Sequence, residues 1–476
     1  MLAWDKLYIG GTWMTPSSAD VIDVRSPHDG SAVGQVPLAG PRDVEAAVAA
    51  GRAAFDDGPW PHLAPEERIA TVERFAAAYA TRVEQLCTVI TAEMGSPRWF
   101  SELGQGPGAL ALVQAAIQNA RSYPWEERRG PSIIRREPVG VVGAITPWNV
   151  PQLVIMPKLV PALLAGCSVV IKPSPEAPLD AMIMAEALHE AGFPPGVVSV
   201  LPGDGVAGKH LVEHAGVDKI AFTGSSAVGR WIGASCGQAL KRCSLELGGK
   251  SAAIILEDAG LDRTMLGLRF ASLLNNGEAC VAQTRILAPR SRYAEVVDAL
   301  ATMVDGLSVG DPSDPDTYIG PMVSARHRDK VAEYLDIAVA EGATVAAGGP
   351  GAVNGLEAGH YVRPTVFSDV TPDMRIAREE VFGPVLSVIA YDDETDAIKL
   401  ANDSDYGLAG SVWTKDRAHG LELARKIRTG TFGINGYAAD IAVPFGGYKA
   451  SGIGREYGPE GFEQYVELKS VYGAPA

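Results

Sequence analysis

Positive charge is in short supply. The chain carries 41 Lys and Arg against 57 Asp and Glu, a net charge of −16 over 476 residues. Nucleic acid and anionic membranes are held by clustered Lys and Arg, so neither is an expected partner; the acidic excess serves solubility instead. Long apolar runs are missing too. No segment reaches the roughly 18 consecutive apolar residues of a membrane-spanning helix. The N-terminal stretch MLAWDKLYIGGTWM contains Asp5 and Lys6 and lacks a small-residue cleavage site, so no signal peptide is read and a cytoplasmic location is expected. Cysteine is scarce and odd in number. Cys87, Cys167, Cys236, Cys243 and Cys280 show no C-x-x-C spacing, which argues against a disulfide framework or a zinc site. No metal is expected. Repeats and low-complexity tracts are absent as well.

What is present is a chain that is 47% hydrophobic, enough for sizeable cores, and long enough for two or three domains at roughly 150 residues each. Its first hundred residues combine a polar, turn-rich start with helical patterns at 41–55 and 64–95, the latter stopped by Gly95 and Pro97. From about 139 the pattern alternates. VGVVGAI, SVVIK, GVVSVLPG and DKIAF read as buried strands. Between and after them lie helices that begin at Pro151, Pro178, Val206 and Ser225. Four consecutive units of this kind specify a parallel, doubly wound sheet that binds nucleotides at the C-terminal ends of its strands. After about 250 a second α/β set follows, from SAAIIL through a helix ending at Asn276, TRILAP, SRYAEVVDALATMV and VLSVIAY to TFGINGY. SIIRRE (132–137) and EQYVELKSVYG stand outside any βα unit. They can pair into an arm that contacts another subunit.

Five short motifs carry candidate chemistry. FTGSSAVG (222–229) puts Gly224 between a strand and a helix, where small residues leave N–H groups free for a pyrophosphate; alone it could be an ordinary turn. IKPSPEAP places Lys172 at a strand end, within reach of a ribose hydroxyl or simply in solvent. TPWNVP (146–151) offers the Asn149 amide as an oxyanion donor, or as a turn residue. LELGGKS (245–251) sets Glu246 between leucines, as a general base with a raised pKa or as a salt-bridged structural acid. NNGEACVAQTR (275–285) surrounds Cys280 with small and polar residues. Taken alone it is a nucleophile or an inert buried thiol.

With GCSVVIKPS, EEVFGPV (379–385), YGLAGSVWT (406–414) and PFGGYKASGIGRE (444–456), these motifs occur in an order and at separations that resemble the aldehyde dehydrogenase superfamily from end to end. The resemblance implies a Rossmann-like doubly wound nucleotide-binding domain (1–119 and 139–248), a second α/β catalytic domain (249–445) and a β-strand oligomerisation arm with a C-terminal segment (120–138 and 446–476). It implies NAD(P)-dependent oxidation of an aldehyde to a carboxylic acid. Cys280 would be the nucleophile, Asn149 and the Cys280 N–H the oxyanion donors, and Glu246 the base that activates water to hydrolyse the thioester. By the same resemblance, Ile145, Thr146, Trp148, Lys172, Ser174, Gly205, Phe222, Thr223, Gly224, Ser225, Leu247, Glu380 and Phe382 bind the cofactor. Glu380 would take the nicotinamide ribose and Lys172 the adenosine ribose.

One departure concerns the cofactor. Many NAD-selective members have Glu three residues after this lysine; here Pro175 stands there and Glu176 comes one place late. NAD is the expected cofactor, with NADP left open. The substrate is expected to meet Val150, Val154, Pro157, Tyr437, Ala439 and Phe445. An arginine typical of succinate-semialdehyde enzymes is absent at Pro157, and Val150 and Ala439 supply no aromatic cage for a quaternary ammonium. An uncharged aliphatic or aromatic aldehyde is expected, with a homodimer or homotetramer as the assembly. Two other classes remain: a non-catalytic binding protein that kept the fold, and a cysteine hydrolase. Reduction of a nicotinamide nucleotide by an aldehyde separates both from an oxidoreductase.

Overall fold

A computed structural model describes residues 1–473. The alternating segment after 139 forms β1 (Val141–Ile145), α1 (Pro151–Ala165), β2 (Ser168–Lys172), α2 (Leu179–Ala191), β3 (Val198–Val200), α3 (Gly205–Glu213), β4 (Lys219–Thr223), α4 (Ser226–Gln238) and β5 (Arg242–Glu246). β1, β2 and β4 are runs of β-branched and small residues buried on both faces, as a sheet covered by helices requires. The local signals act as read: Pro151 occupies the first turn of α1, and Gly192 ends α2 in the left-handed conformation at φ 69°. The strands pair in the order β5-β4-β1-β2-β3, all parallel. The order reverses direction at β1, so the crevice beside the β1 and β4 C-termini is the topological switch point of a doubly wound sheet.

Antiparallel edges complete eight strands. Gly452–Ile453 joins β5, and Leu7–Ile9 with Thr12–Met14 joins β3. The N-terminal strands correct the reading of a merely turn-rich start: Leu7–Ile9 is fully buried, held by long-range pairing that short strands do not advertise in sequence. The helix expected over 64–95 is two helices, Pro65–Ala80 and Val83–Met94. Neither Gly nor Pro marks the break at Thr81–Arg82. Arg82, at the break, bonds Glu190 at the end of α2.

The second α/β unit contains β6 (Ala252–Ile255), α5 (Leu261–Leu273), β7 (Arg285–Pro289), α6 (Tyr293–Asp305), α7 (Ala325–Ala340), β8 (Thr365–Ser368), β9 (Val385–Tyr391) and β10 (Gly410–Trp413). Its seven-stranded sheet runs Thr344–Ala347, β8, β9, β7, β6, β10, Gly433–Ile434. The TFGINGY segment supplies only the two residues Gly433–Ile434. Each sheet has its own hydrophobic clusters. A separate three-stranded sheet pairs Val466–Val471 with Ser132–Pro138, antiparallel from Val466↔Pro138 to Val471↔Ile133, and Ser132–Pro138 in turn with Glu126–Arg129.

Candidate active site

A cavity of about 510 Å³ opens at the switch point of the eight-stranded sheet and is closed on its other side by residues of the second α/β unit. Of the residues singled out in the sequence, Trp148, Asn149, Val150, Val154, Thr223, Gly224, Ser225, Leu247, Cys280, Glu380 and Phe382 line it. They come from five separate chain segments. Ile145, Phe222 and Glu246 are buried and do not line it; Lys172 ends β2 and Ser174 follows two residues on, both buried.

Cys280 follows a turn that few sequences can make. Asn275, Asn276 and Gly277 are left-handed in succession, at φ 50°, 62° and 73°. Asparagine tolerates this region better than most residues. A Cβ on Gly277 would lie 2.4 Å from the Gly383 backbone. Asn276 locks the turn by donating through Nδ2 to the carbonyls of Gly95 and Pro321 and accepting from the Gly320 N–H. Cys280 shows part of its surface to the cavity, and protein surrounds it elsewhere. That desolvation, with the Glu380 and Glu246 carboxyls nearby, pushes its thiol up to about 12. At neutral pH the resting group is therefore the thiol.

Asn149, on the turn between β1 and α1, is buried. Its Nδ2 donates to the Glu278 carbonyl at 2.8 Å, and its own carbonyl accepts from Asn275 Nδ2 at 2.9 Å and Gln105 Nε2 at 3.2 Å. One amide hydrogen is thus committed to Glu278, two residues before the cysteine, and the second remains to serve a developing oxyanion.

Glu246 ends β5. Its Oε2 has no hydrogen-bond partner in the buried interior, and burial followed by repulsion from Glu456 raises its pKa well above the ordinary carboxyl range, with Lys158 and Arg455 opposing. Lys158 on α1 donates to Glu456 Oε1 at 2.6 Å and to Thr223 Oγ1 at 2.7 Å. A carboxyl of raised pKa beside a buried lysine–carboxylate pair is a stronger base than an ordinary carboxylate. Lys158 and Glu456, 298 positions apart, were not singled out in the sequence.

On the cofactor side, α4 points its N-terminus into the cavity behind Gly224 and Ser225. Ser225 caps it by accepting from the Val228 N–H. Buried hydroxyls of Thr146 and Ser226 have no partner, as expected where a polar ligand completes the bonding. Glu380 accepts from the Gly249 N–H at 2.9 Å. Trp148, His327 and Phe382 form an edge-to-face trio with centroids 5.3–5.9 Å apart, and the Phe382 carbonyl hydrogen-bonds His327 Nε2 at 2.7 Å. Burial pushes His327 down to about 4, so its ring is neutral. These features fit a dinucleotide: a helix N-terminus for phosphates, a carboxylate for a ribose and apolar rings for a base. Lys172 is turned inward, donating to the Pro173 and Gly203 carbonyls, and burial lowers it to about 8. Gly205 opens α3 close by, after its capping residue Asp204.

The sequence reading also passed over Arg326, His327 and Lys330, which reach the cavity from the start of α7. Their signal was the cationic run ARHRDK. Glu176 lines the cavity too, hydrogen-bonded to Ser174 Oγ.

On the far side of Cys280, Val150 packs in an apolar cluster with Trp99, Phe100, Phe270 and Val281. Tyr437 bonds Thr431 Oγ1 at 2.8 Å, and its hydroxyl is raised by burial. Phe445 does not line the cavity. It pairs through its backbone with Glu456 and packs its ring on Tyr457. Pro157 lines a small neighbouring pocket with Leu112 and Tyr457, and Ala439 is exposed.

Residues 13–471 match the model of the aldehyde dehydrogenase family. A geranial dehydrogenase of Castellaniella defragrans is 46% identical over 471 residues, covering 98% of each chain. Among solved structures, a Mycobacterium tuberculosis aldehyde dehydrogenase complexed with NAD+ superimposes with a TM-score of 0.97 at 50% identity, covering 99% of this chain and 98% of that one. A mutant of AldC from Pseudomonas syringae, complexed with NAD+ and octanal, gives 0.96 at 40% identity, covering 99% and 97%.

Proposed function

This chain belongs to the aldehyde dehydrogenase family and oxidises aldehydes with NAD, and we propose that Cys280, Asn149 and Glu246 carry the reaction. The observation that carries the proposal is the convergence of Cys280 and Asn149 on one cavity that α4, Glu380 and Phe382 also line, with the buried Glu246 carboxyl near Cys280.

The Cys280 sulfur adds to the aldehyde carbon as the thiolate, its proton passing to solvent through the cavity. The second Asn149 amide hydrogen and the Cys280 N–H stabilise the oxyanion of the thiohemiacetal. NAD, when bound, supplies the hydride acceptor that takes the adduct to the thioester level. Gly224 and Ser225 at the α4 N-terminus hold its phosphates, Glu380 a ribose, and Trp148 and Phe382 flank its rings. Ile145, Thr146, Lys172, Ser174, Gly205, Phe222, Thr223 and Leu247 complete the cofactor wall. Glu246 then removes a proton from the water that releases the acid, and Glu456 and Lys158 set its basicity.

Val150, Val154, Trp99, Phe270 and Val281 give the substrate side an apolar surface, which suits an uncharged aliphatic or aromatic aldehyde. The octanal bound to the AldC mutant is of that class. Glu176 in the cavity favours NAD over NADP by repelling a 2′-phosphate. The boundary at 248 between the eight- and seven-stranded sheets supports a domain division at 119, 139, 248 and 445, with Gly452–Ile453 of the last segment returning to the first sheet. We further propose a cytoplasmic dimer or tetramer assembled through the arm.

An aldehyde panel run with NAD and NADP, read as absorbance of the reduced cofactor, tests the function. Turnover should be best with apolar aldehydes and NAD. Cys280→Ala should lose oxidation and keep NAD binding. Near-normal turnover in that variant would remove Cys280 from the mechanism.

A further inference from the structure

The helix that begins at the cofactor cavity and the strand that ends at Glu246 run back to back. α4 lies on β5 in a fixed register. A Cβ added to Gly229 would meet the Leu247 side chain at 2.4 Å, and one added to Gly233 would meet Leu245 Cδ1 at 3.5 Å. Each turn of the helix thus covers a residue two places earlier in the strand. The next turn brings Cys236 over Cys243, which packs against the cluster that holds Cys236. The tight connection between them is closed by the Lys241 N–H donating to the Cys236 carbonyl at 2.8 Å, with Leu240 left-handed at φ 52°. Cys236 is fully buried, Cys243 is partly accessible, and both belong to one hydrophobic cluster.

We propose that Cys236 and Cys243 form a redox-active dithiol that a peroxide converts to a disulfide, stapling the cofactor helix to the strand that bears Glu246. Nothing in the aldehyde reaction uses either sulfur. The chemistry favours Cys243 as the attacking group. It is the more accessible of the two, and the neighbouring Cys236 thiol and the buried Lys219 ammonium lower its pKa below the ordinary thiol range against the effect of burial. The Cys243 thiolate attacks one peroxide oxygen; an S–O bond forms, the O–O bond breaks and water leaves, giving a sulfenic acid. The Cys236 sulfur then attacks the Cys243 sulfur. The S–S bond forms, the S–O bond breaks, and hydroxide departs with the Cys236 proton as a second water. Two thiols lose two electrons and the peroxide becomes two waters. A dithiol reductant reverses the step. By contrast, burial holds Cys87 and Cys167 above the ordinary thiol range, for Cys167 against the pull of Lys219 and Arg68, so they should stay reduced.

Lys241 and Arg242 lie between the two cysteines, so trypsin separates them into peptides 231–241 and 243–250. Hydrogen peroxide treatment of the full-length enzyme, followed by alkylation and peptide mapping, should yield these peptides joined, lighter by two hydrogens than their sum and separated again by dithiothreitol. In Cys280→Ala, which removes the competing cavity thiol, denaturing thiol titration should fall from four groups to two. Adding Cys243→Ser, or separately Cys236→Ser, should abolish the linked peptides. The proposal is overturned if the count stays at four, if Cys243 accumulates as sulfinic acid with Cys236 free, or if either cysteine links to a different partner.

Discussion

The Lys158 ammonium sits 2.6 Å from the Glu456 carboxylate, both side chains buried, and this pair borders Glu246, whose Oε2 is unpartnered. Glu456 therefore raises the pKa of Glu246 and Lys158 lowers it. A base works only when deprotonated, so a raised pKa places the acid limb of the hydrolytic step at higher pH. Glu456→Gln removes the repulsion and leaves Lys158 free to favour the Glu246 carboxylate. The acid limb of the kcat–pH profile should then move to lower pH wherever hydrolysis limits turnover. A limb that stays fixed, with the thermal melt unchanged, would mean that the two carboxyls do not communicate.

Glu246→Gln should arrest the reaction after the thioester forms. Rapid mixing with excess aldehyde should give a burst of reduced cofactor of about one equivalent per site and then slow turnover. Steady-state rates close to wild type would exclude Glu246 as the base.

The side-chain amide of Asn149 donates to the Glu278 carbonyl, and its backbone carbonyl is held by Asn275 and Gln105. Asn149→Ala removes the oxyanion donor and should lower kcat by roughly two to three orders of magnitude, with little change in NAD affinity. Asn275→Ala removes one bond to the Asn149 carbonyl and should give a smaller loss in kcat. Equal rates for Asn149→Ala and wild type would place the donor elsewhere, provided chemistry is rate-limiting.

How far the sequence carries follows from the range of each interaction. Strands β1, β2 and β4 and the stop of α2 at Gly192 were legible because periodicity and left-handed glycine act within a few residues. Cys280, Asn149 and Glu246 were legible as motif residues, each on a strand end or turn that its neighbours announce. Lys158 was hidden: inside an apolar helix pattern it is one lysine, and its meaning comes from Glu456 almost 300 positions away. The break at Thr81–Arg82 was hidden because neither Gly nor Pro marks it. Lys172 was legible as a strand-end lysine, but its inward turn to the Gly203 carbonyl was not.

Glu176 stands one place later than the ribose-binding Glu of many relatives, yet it lines the cavity. A carboxylate there repels a 2′-phosphate, and a separation of several ångströms in water makes this worth about 1 kcal/mol per charge pair. Glu176→Ala should therefore raise kcat/KM for NADP relative to NAD by roughly tenfold. The measurement is the ratio of the two specificity constants with one aldehyde. An unchanged ratio would show that the carboxylate does not face the 2′ position.

The strand Val466–Val471 has Ser132–Pro138 on one side and no strand on the other within the described residues, while Leu468 is 69% exposed. An unpaired edge carrying exposed apolar side chains is an aggregation hazard unless a second chain covers it. A symmetric partner would cover it and close the assembly. Full-length protein at micromolar concentration should run as a dimer or tetramer of 50.0 kDa chains in light scattering coupled to size exclusion. Deleting 466–476 removes the edge and the six residue pairs it makes with Ser132–Pro138. The deletion should yield smaller species and a lower melting temperature, although Cys280 and the cofactor-side residues are untouched. A full-length chain that elutes at its monomer mass would show that the edge is left open in solution.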